Sequence, residues 1–255
     1  MNRARLFYAC LIVISMIAIP CSVFALGLEA GVGYWKQTPS GNISYVPSGT
    51  PTANDTLDLK SDLNYESKGN AFVRVKAELP LVLPNLYFMA TPMSFEGDGN
   101  KTFTFGNENF SGPVHSKLKI DHYDLAFYYT FLNLITLDKV HLDLGLNARM
   151  INLDASVTST ATGVTASKSL TPIVPMVYVG LQVKPIKAFS LEAEARAIAI
   201  GSSHYYDYIG RVKIKPFGPV FIAGGYRSED IKIDTDNVKA TVKVSGPFVE
   251  AGVSF

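Results

Sequence analysis

Val249, Ala251, Val253 and Phe255 alternate with Phe248, Glu250, Gly252 and Ser254 at the end of the chain. A period of two belongs to a β-strand with one apolar and one mostly polar face. The pattern recurs throughout. Its cleanest case is 140–152, where Val140, Leu142, Leu144, Leu146, Ala148 and Met150 alternate with His141, Asp143, Gly145, Asn147 and Arg149. Beyond residue 26 no apolar run approaches the ~20 residues of a spanning helix. The richest stretch, 79–93, is broken by Pro80, Pro84, Asn85 and Pro92. Yet the chain is 47% hydrophobic and only 18% charged. Such a chain either hides its apolar surface in a soluble core or spreads it over lipid on alternate strand residues.

Alternation predicts about ten strands, at 26–36, 70–79, 86–95, 118–131, 140–152, 170–184, 189–200, 205–215, 220–229 and 238–255. Facing is ambiguous in the third, sixth and ninth, so eight or twelve strands are the neighbouring counts. Pro172 and Pro175 predict a bulged or poorly paired sixth strand, since proline cannot donate to a ladder. In the tenth, the apolar residues change parity at Ser245-Gly246-Pro247, which predicts a bulge and a change of face. Connections alternate in kind. Residues 80–85, 132–138, 184–188 and 216–219 are compact. Residues 37–69, 96–117, 153–169 and 230–237 are long and polar. Only the link near 201–204 is short where a long one is due. Short turns at one end and long loops at the other are the layout of a transmembrane barrel. Tyr34, Tyr123, Tyr206 and Tyr226 lie toward the loops, and Phe131, Phe189, Phe217 and Phe255 toward the turns, as two interfacial belts require.

The N-terminus reads as a secretory signal. Arg3 and Arg5 precede an apolar stretch at 6–19, and Val23-Phe24-Ala25 is a small-residue cleavage site, so 1–25 is expected to be removed. Both cysteines, Cys10 and Cys21, lie in that segment. The mature chain then offers no disulfide framework, thiolate nucleophile or zinc-thiolate site. Removing Arg3 and Arg5 leaves 21 of the 23 Lys and Arg against 22 Asp and Glu. A near-neutral chain without a basic cluster argues against nucleic acid as a partner.

A closing strand that ends on Phe255 behind a secretory signal resembles the last strand of bacterial outer-membrane β-barrels, where the terminal aromatic serves as a membrane-insertion signal. The stretches Leu83-Pro84-Asn85-Leu86-Tyr87, residues 175–185 and Ser245-Gly246-Pro247-Phe248 are similar to a family of small Gram-negative outer-membrane barrels without an assigned activity. The resemblance implies one barrel domain over 26–255 in the outer membrane. Its implied partners are outer-membrane lipid and lipopolysaccharide, and the barrel-assembly machinery during insertion. It implies no cofactor.

If the apolar faces meet lipid, the polar faces line the lumen. A turn centred near 202 pairs residues of strands seven and eight whose numbers sum to about 405. Glu192 then faces Lys213, Glu194 faces Arg211, and Arg196 lies diagonal to Asp207. Glu29 and Lys76 fall at one height with Glu250 nearby. Asp124 and His122 lie close to Asn147 and Arg149. With Arg74 these residues make a charge network of balanced sign. A ten-strand bore is only slightly wider than the eight-strand bore that side chains fill. The expected lumen is therefore largely filled, a narrow water path being the competing arrangement.

Other constellations are weaker. His122 with Asp124, and His141 with Asp143, share strand faces, as any i, i+2 pair does. His204 and Asp207 near one loop tip, with Glu229 and Asp230 on another, have the makings of a hydrolytic site at the rim. Glu96-Gly97-Asp98-Gly99-Asn100 and Asp234-Thr235-Asp236-Asn237 are carboxylate-bearing loops that read first as solvated turns, with Ca²⁺ as the weaker alternative, and neither is a full calcium hand. No metal site is expected. The leading reading is a passive barrel, either a narrow pore for small solutes or a structural envelope protein with surface loops. The alternatives are a hydrolase at the outer rim, acting on protein or lipid, and a surface-binding protein acting through 37–69 and 96–117.

Overall fold

The structure, a computed structural model, describes residues 27–80, 82–132, 136 and 139–255. The expected signal segment, 1–25, lies outside the described residues. Among those described, ten long strands form the wall. They are β1 (Gly27–Tyr45), β2 (Lys68–Glu78), β3 (Asn85–Thr91, resuming as Ser94–Asn100), β4 (Pro113–Phe131), β5 (Val140–Ser159), β6 (Ile173–Ile186), β7 (Phe189–Ile200), β8 (Ser203–Phe217), β9 (Val220–Asp234) and β10 (Val238–Ser254). Each pairs antiparallel with the next, and β10 pairs with β1 from Glu29↔Ser254 to Tyr45↔Val238. The sheet is thus closed, and most backbone polar groups of the wall find their partners within it. The fold is an antiparallel transmembrane-type β-barrel.

The lower part of the wall is apolar outside. Val32, Tyr34, Leu125, Phe127, Leu146, Val177, Tyr208, Tyr226 and Val249 are all well exposed there. Their inward neighbours include Arg74, Arg149, Arg196 and Asp207, which are fully buried. Towards the loop end the two chemistries exchange sides. On β4 the outward row runs Tyr129, Phe127, Leu125 and Tyr123, then Asp121, Lys119, Lys117 and His115; the inward row passes from Asp124 and His122 to the buried Ile120, Leu118 and Val114. β10 behaves alike, with Glu250 and Phe248 inside below Val244 and Val242, and Lys243 outside above Val249. Lipid meets the lower belt and water the upper one, so each stretch puts apolar groups where its surroundings allow.

This exchange corrects two expectations. The parity change at 245–247 is no bulge: the β10 register runs unshifted past both neighbours. The side chains keep their facing while the interior turns from charged to apolar. Likewise 96–117, 153–169 and 230–237 are mainly strand, and 37–69 begins as strand before it becomes the long loop expected. β1 continues to Tyr45, β5 to Ser159 and β9 to Asp234, and Thr165–Leu170 folds back along β5. Their outward residues are polar, so no apolar alternation marked them as strand.

Two irregularities shape the upper wall. β3 breaks at Pro92 and Met93, where the Asp121 carboxylate accepts the Met93 N–H at 2.8 Å and the register with β4 resumes unchanged. β2 stops at Lys68, leaving the upper edge of β1 bare on that side. Residues 57–65 fill the space. Leu57 pairs with Ile43, Leu59 donates to Gly41, and Leu57, Leu59 and Leu63 are fully buried. Asn64 Nδ2 donates to the Asp98 carbonyl at 2.7 Å. A Cβ at Gly97 would stand 2.0 Å from the Leu63 carbonyl oxygen, so only glycine admits this segment.

Candidate functional site: a charged layer beneath an apolar chamber

The lumen has three storeys. At the short-turn end a polar vestibule of about 510 Å³ is bordered by Glu78, His141, Asp143, Lys184 and Lys215, among others. Above it lies a layer of interlocked charges. Over that, near the loop end, is an apolar chamber of about 320 Å³.

In the charged layer, carboxylates Glu29, Asp124, Glu192, Glu194, Asp207, Glu229 and Glu250 meet cations Arg74, Lys76, Arg149, Arg196, Arg211, Lys213 and Arg227. Arg149 grips Asp124 through two parallel bonds, Nε to Oδ1 at 2.8 Å and Nη2 to Oδ2 at 2.9 Å. Paired geometry of this kind fixes orientation as well as charge. The same guanidinium reaches Asp207 at 2.5 Å, which also receives two bonds from Arg227 at 2.8 and 3.0 Å. Glu229 takes Arg227 at 2.8 Å, the Tyr205 hydroxyl at 2.6 Å and His122 Nε2 at 3.3 Å.

Lower down, Arg74 joins Glu29 and Glu250, each at 2.6 Å. Lys213 joins Glu29 at 2.9 Å and forms a close ion pair with Glu192. Arg211 meets Glu194 at 3.1 Å, and Lys76 meets Glu194 at 3.3 Å. Room for this comes from β1, where a Cβ at Gly31 would lie 2.2 Å from the Glu250 carboxylate.

Strands seven and eight register two residues away from the expected sum. Glu192 stands opposite Arg211, Glu194 opposite Ile209, and Arg196 directly opposite Asp207. The turn is tighter than supposed, spanning only Gly201 and Ser202. A shift of two keeps every residue on its face. Contacts between Glu192 and Lys213 and between Glu194 and Arg211 are therefore still made, as diagonals. Glu29 does stand opposite Lys76, yet each carries its charge elsewhere, Glu29 to Arg74 and Lys213 and Lys76 to Glu194.

Strand reasoning missed the inward aromatics. Trp35 lies 4.8 Å beneath Arg227, Tyr205 4.7 Å from Arg149, and Tyr87 4.8 Å from Arg196, with Tyr178 at 5.3 Å. Phe221 faces Arg74 and Lys213. Flat rings fill the bore between cations and are attracted to them. Arg227 and Glu229 were missed too, though both share the inward parity of Phe221 on β9. Glu229, expected at an external tip, is fully buried in the lumen.

The rim constellation does not assemble. His204 faces outward, 3.4 Å from Asp230 and stacked on Tyr206, whereas Asp207 points into the bore. Residues 96–100 are strand rather than a cation loop, and Asp98 takes His115 Nδ1 at 2.7 Å. No group of three or more His, Cys, Asp or Glu residues suited to a metal ion occurs among the described residues.

Outside the lipid belt, the Asp55 carboxyl is held down to about 2, above all by the Thr52 hydroxyl, with the Thr52 and Thr104 N–H groups adding to it. Burial pushes the Tyr65 phenol up to about 12 against a hydrogen bond with Ser116.

No family model and no curated protein matches the chain. Among solved structures it is similar to outer-membrane barrels. The attachment invasion locus protein Ail of Yersinia pestis, in complex with the heparin analogue sucrose octasulfate, is 13% identical, with 91% of this chain and 100% of that chain covered and a TM-score of 0.39. The translocator domain of the autotransporter NalP from Neisseria meningitidis is 12% identical over 99% and 96%, with a TM-score of 0.41. CymD, a monoaromatic hydrocarbon channel, is 10% identical over 90% and 88%, with a TM-score of 0.36. The barrel rests on this chain's own strand pairing.

Proposed function

We propose that the protein is a passive barrel of the Gram-negative outer membrane whose lumen is closed to ions by its charged layer. One observation carries the reading: Arg149, Arg196 and Arg227 are fully buried or nearly so, and all three converge on Asp207, Arg196 and Arg227 from the two flanking strands and Arg149 from three strands away. Charges that neutralise one another leave the layer without the net charge that would draw an ion in. Freeing any one of them leaves its partners desolvated, which costs several kcal/mol. The lower belt favours lipid as the surroundings, and the polar upper wall favours an external end that meets lipopolysaccharide headgroups. The terminal Phe255, exposed at the short-turn end, suits recognition by the assembly machinery during insertion. The 26–255 segment is proposed as the mature protein.

The experiment is reconstitution of residues 26–255 in planar bilayers. A silent membrane containing folded, heat-modifiable barrels is the expected result. Discrete conductance steps from the wild type would overturn the closed-lumen reading and favour the narrow pore.

A further inference from the structure

The upper chamber has walls of Ile120, Ile151, Val174, Ile198, Ile231 and Val242. Its floor is the charged layer, from which Tyr205 rises, and Tyr45 and Phe105 stand at its outer end. Most of the polar groups that border it are already engaged. The Tyr205 hydroxyl donates to Glu229, the Ser44 hydroxyl to the Lys239 carbonyl, and the Ser203 hydroxyl accepts the Asp234 N–H. His204 is paired with Asp230, and Lys168 lies 5.4 Å over the Tyr45 ring. None of the buried polar atoms without a hydrogen-bond partner, among the described residues, belongs to this lining. Apart from the Lys168 and Lys232 ammonium groups and the Ser203 hydroxyl hydrogen at its border, nothing in it is left over to orient a polar ligand.

The wall beside the chamber is open. β6 and β7 pair only as far as Val177↔Ala197. Beyond that point β6 continues on β5 alone, with Ile173 opposite Met150, and β7 on β8 alone, with Ile200 opposite Ser203. Residues 174–176, which the register would set against 198–200, include Pro175, which has no N–H to give. The edges of the gap carry Leu170, Ile173 and Ile200, of which Ile173 and Ile200 are about 70% exposed (69% and 71%). Met150 and Tyr123 continue outward from Ile173 along the ladder, so the gap stands beside the outer aromatic boundary of the lipid belt.

We propose that this chamber binds a small uncharged apolar molecule, of one or two rings' size, that enters from the outer membrane interface through the gap between β6 and β7. An apolar cavity of about 150 Å³ stays dry and takes benzene. One of about 320 Å³ has room for a two-ring hydrocarbon. The charged floor halts the ligand within the barrel, so the site is for holding rather than for transit. The proposal stands whether or not the lumen below conducts ions.

Naphthalene is a suitable probe, measured by equilibrium dialysis between nanodiscs carrying residues 26–255 and empty nanodiscs. Excess uptake should saturate at one molecule per barrel. Ala155→Phe and Ala240→Phe each place a ring in the chamber and should weaken uptake about tenfold or more. Leu146→Ala, on the lipid face, should leave it unchanged. Heat-modifiable migration shows which variants have folded, and either filled variant alone suffices. Uptake that never saturates, or that survives in a folded filled variant, overturns the proposal. So does a membrane lipid that copurifies one to one and resists displacement by naphthalene, because the occupant is then an acyl chain.

Discussion

Arg196 stands directly opposite Asp207 on the ladder between β7 and β8, yet it is not the main partner of that carboxylate. Its guanidinium comes to 3.7 Å, while Arg149 from β5 and Arg227 from β9 come to 2.5 and 2.8 Å. Asp207 is the junction of the charged layer.

Replacing Asp207 with Asn should therefore do more than remove one ion pair. Three buried guanidiniums lose their shared carboxylate, and breaking a buried pair costs about 3–5 kcal/mol. Urea unfolding in lipid vesicles should show a loss of this order. Asp230→Asn, on the exposed outer face of β9, should shift the midpoint by less than about 0.5 kcal/mol. Equal effects would mean the bore is hydrated enough to screen its charges.

Exchange of charges at Glu194 and Arg211 should rescue only part of what each single change loses. Glu194 also serves Lys76 and Arg196, and Arg211 also serves Glu192 and Glu250. In a double-mutant cycle on Glu194→Arg and Arg211→Glu, the coupling should exceed 1 kcal/mol yet fall short of full restoration, as in shared networks generally (about 0.5–3 kcal/mol). Complete restoration would reduce the network to isolated pairs.

Acid should loosen the segment that patches the upper wall. The Asp55 carboxyl ionises in the folded protein at about 2, below the ordinary 3.8, so its contribution is complete above about pH 4. As pH falls from there towards 2, that contribution is lost, because the unfolded segment takes up the proton first. Cleavage within 46–67 by an acid-active protease should rise across this window. Asp55→Asn should be cleaved readily at every pH, with the slope gone. An unaltered slope in the variant would assign the acid response to another group.

Gly97→Val should expel residues 57–65 while leaving the barrel closed. Its Cβ would meet the Leu63 carbonyl oxygen, which backbone cannot yield cheaply; overpacking of this sort costs typically about 1–3 kcal/mol. Heat-modifiable migration should persist, and proteolysis at 57–65 should rise at neutral pH. Protection equal to the wild type would show that the segment is held elsewhere.

About ten strands, their antiparallel order and the facing of most of them were legible in the sequence, because alternation is a local property; the facing of the third, sixth and ninth, and of the tenth past 245–247, was not. β7 occupies the very residues expected, Phe189–Ile200, and the belts of Tyr34, Tyr226, Phe131 and Phe217 face outward. The inward parity of Glu192, Glu194, Arg196, Arg211 and Lys213 was equally legible. The tertiary structure decided which charges meet. An arginine side chain reaches past its ladder neighbour, so Arg74 finds Glu250 two strands away and Arg149 finds Asp207 three strands away. The structure also decided where the interior turns apolar. At 245–247 the sequence shows only that apolar residues change parity; a flipped strand and an unflipped strand leaving lipid for water produce the same letters. The difference lies in what surrounds the wall at each height, and that is fixed only once the strands stand side by side.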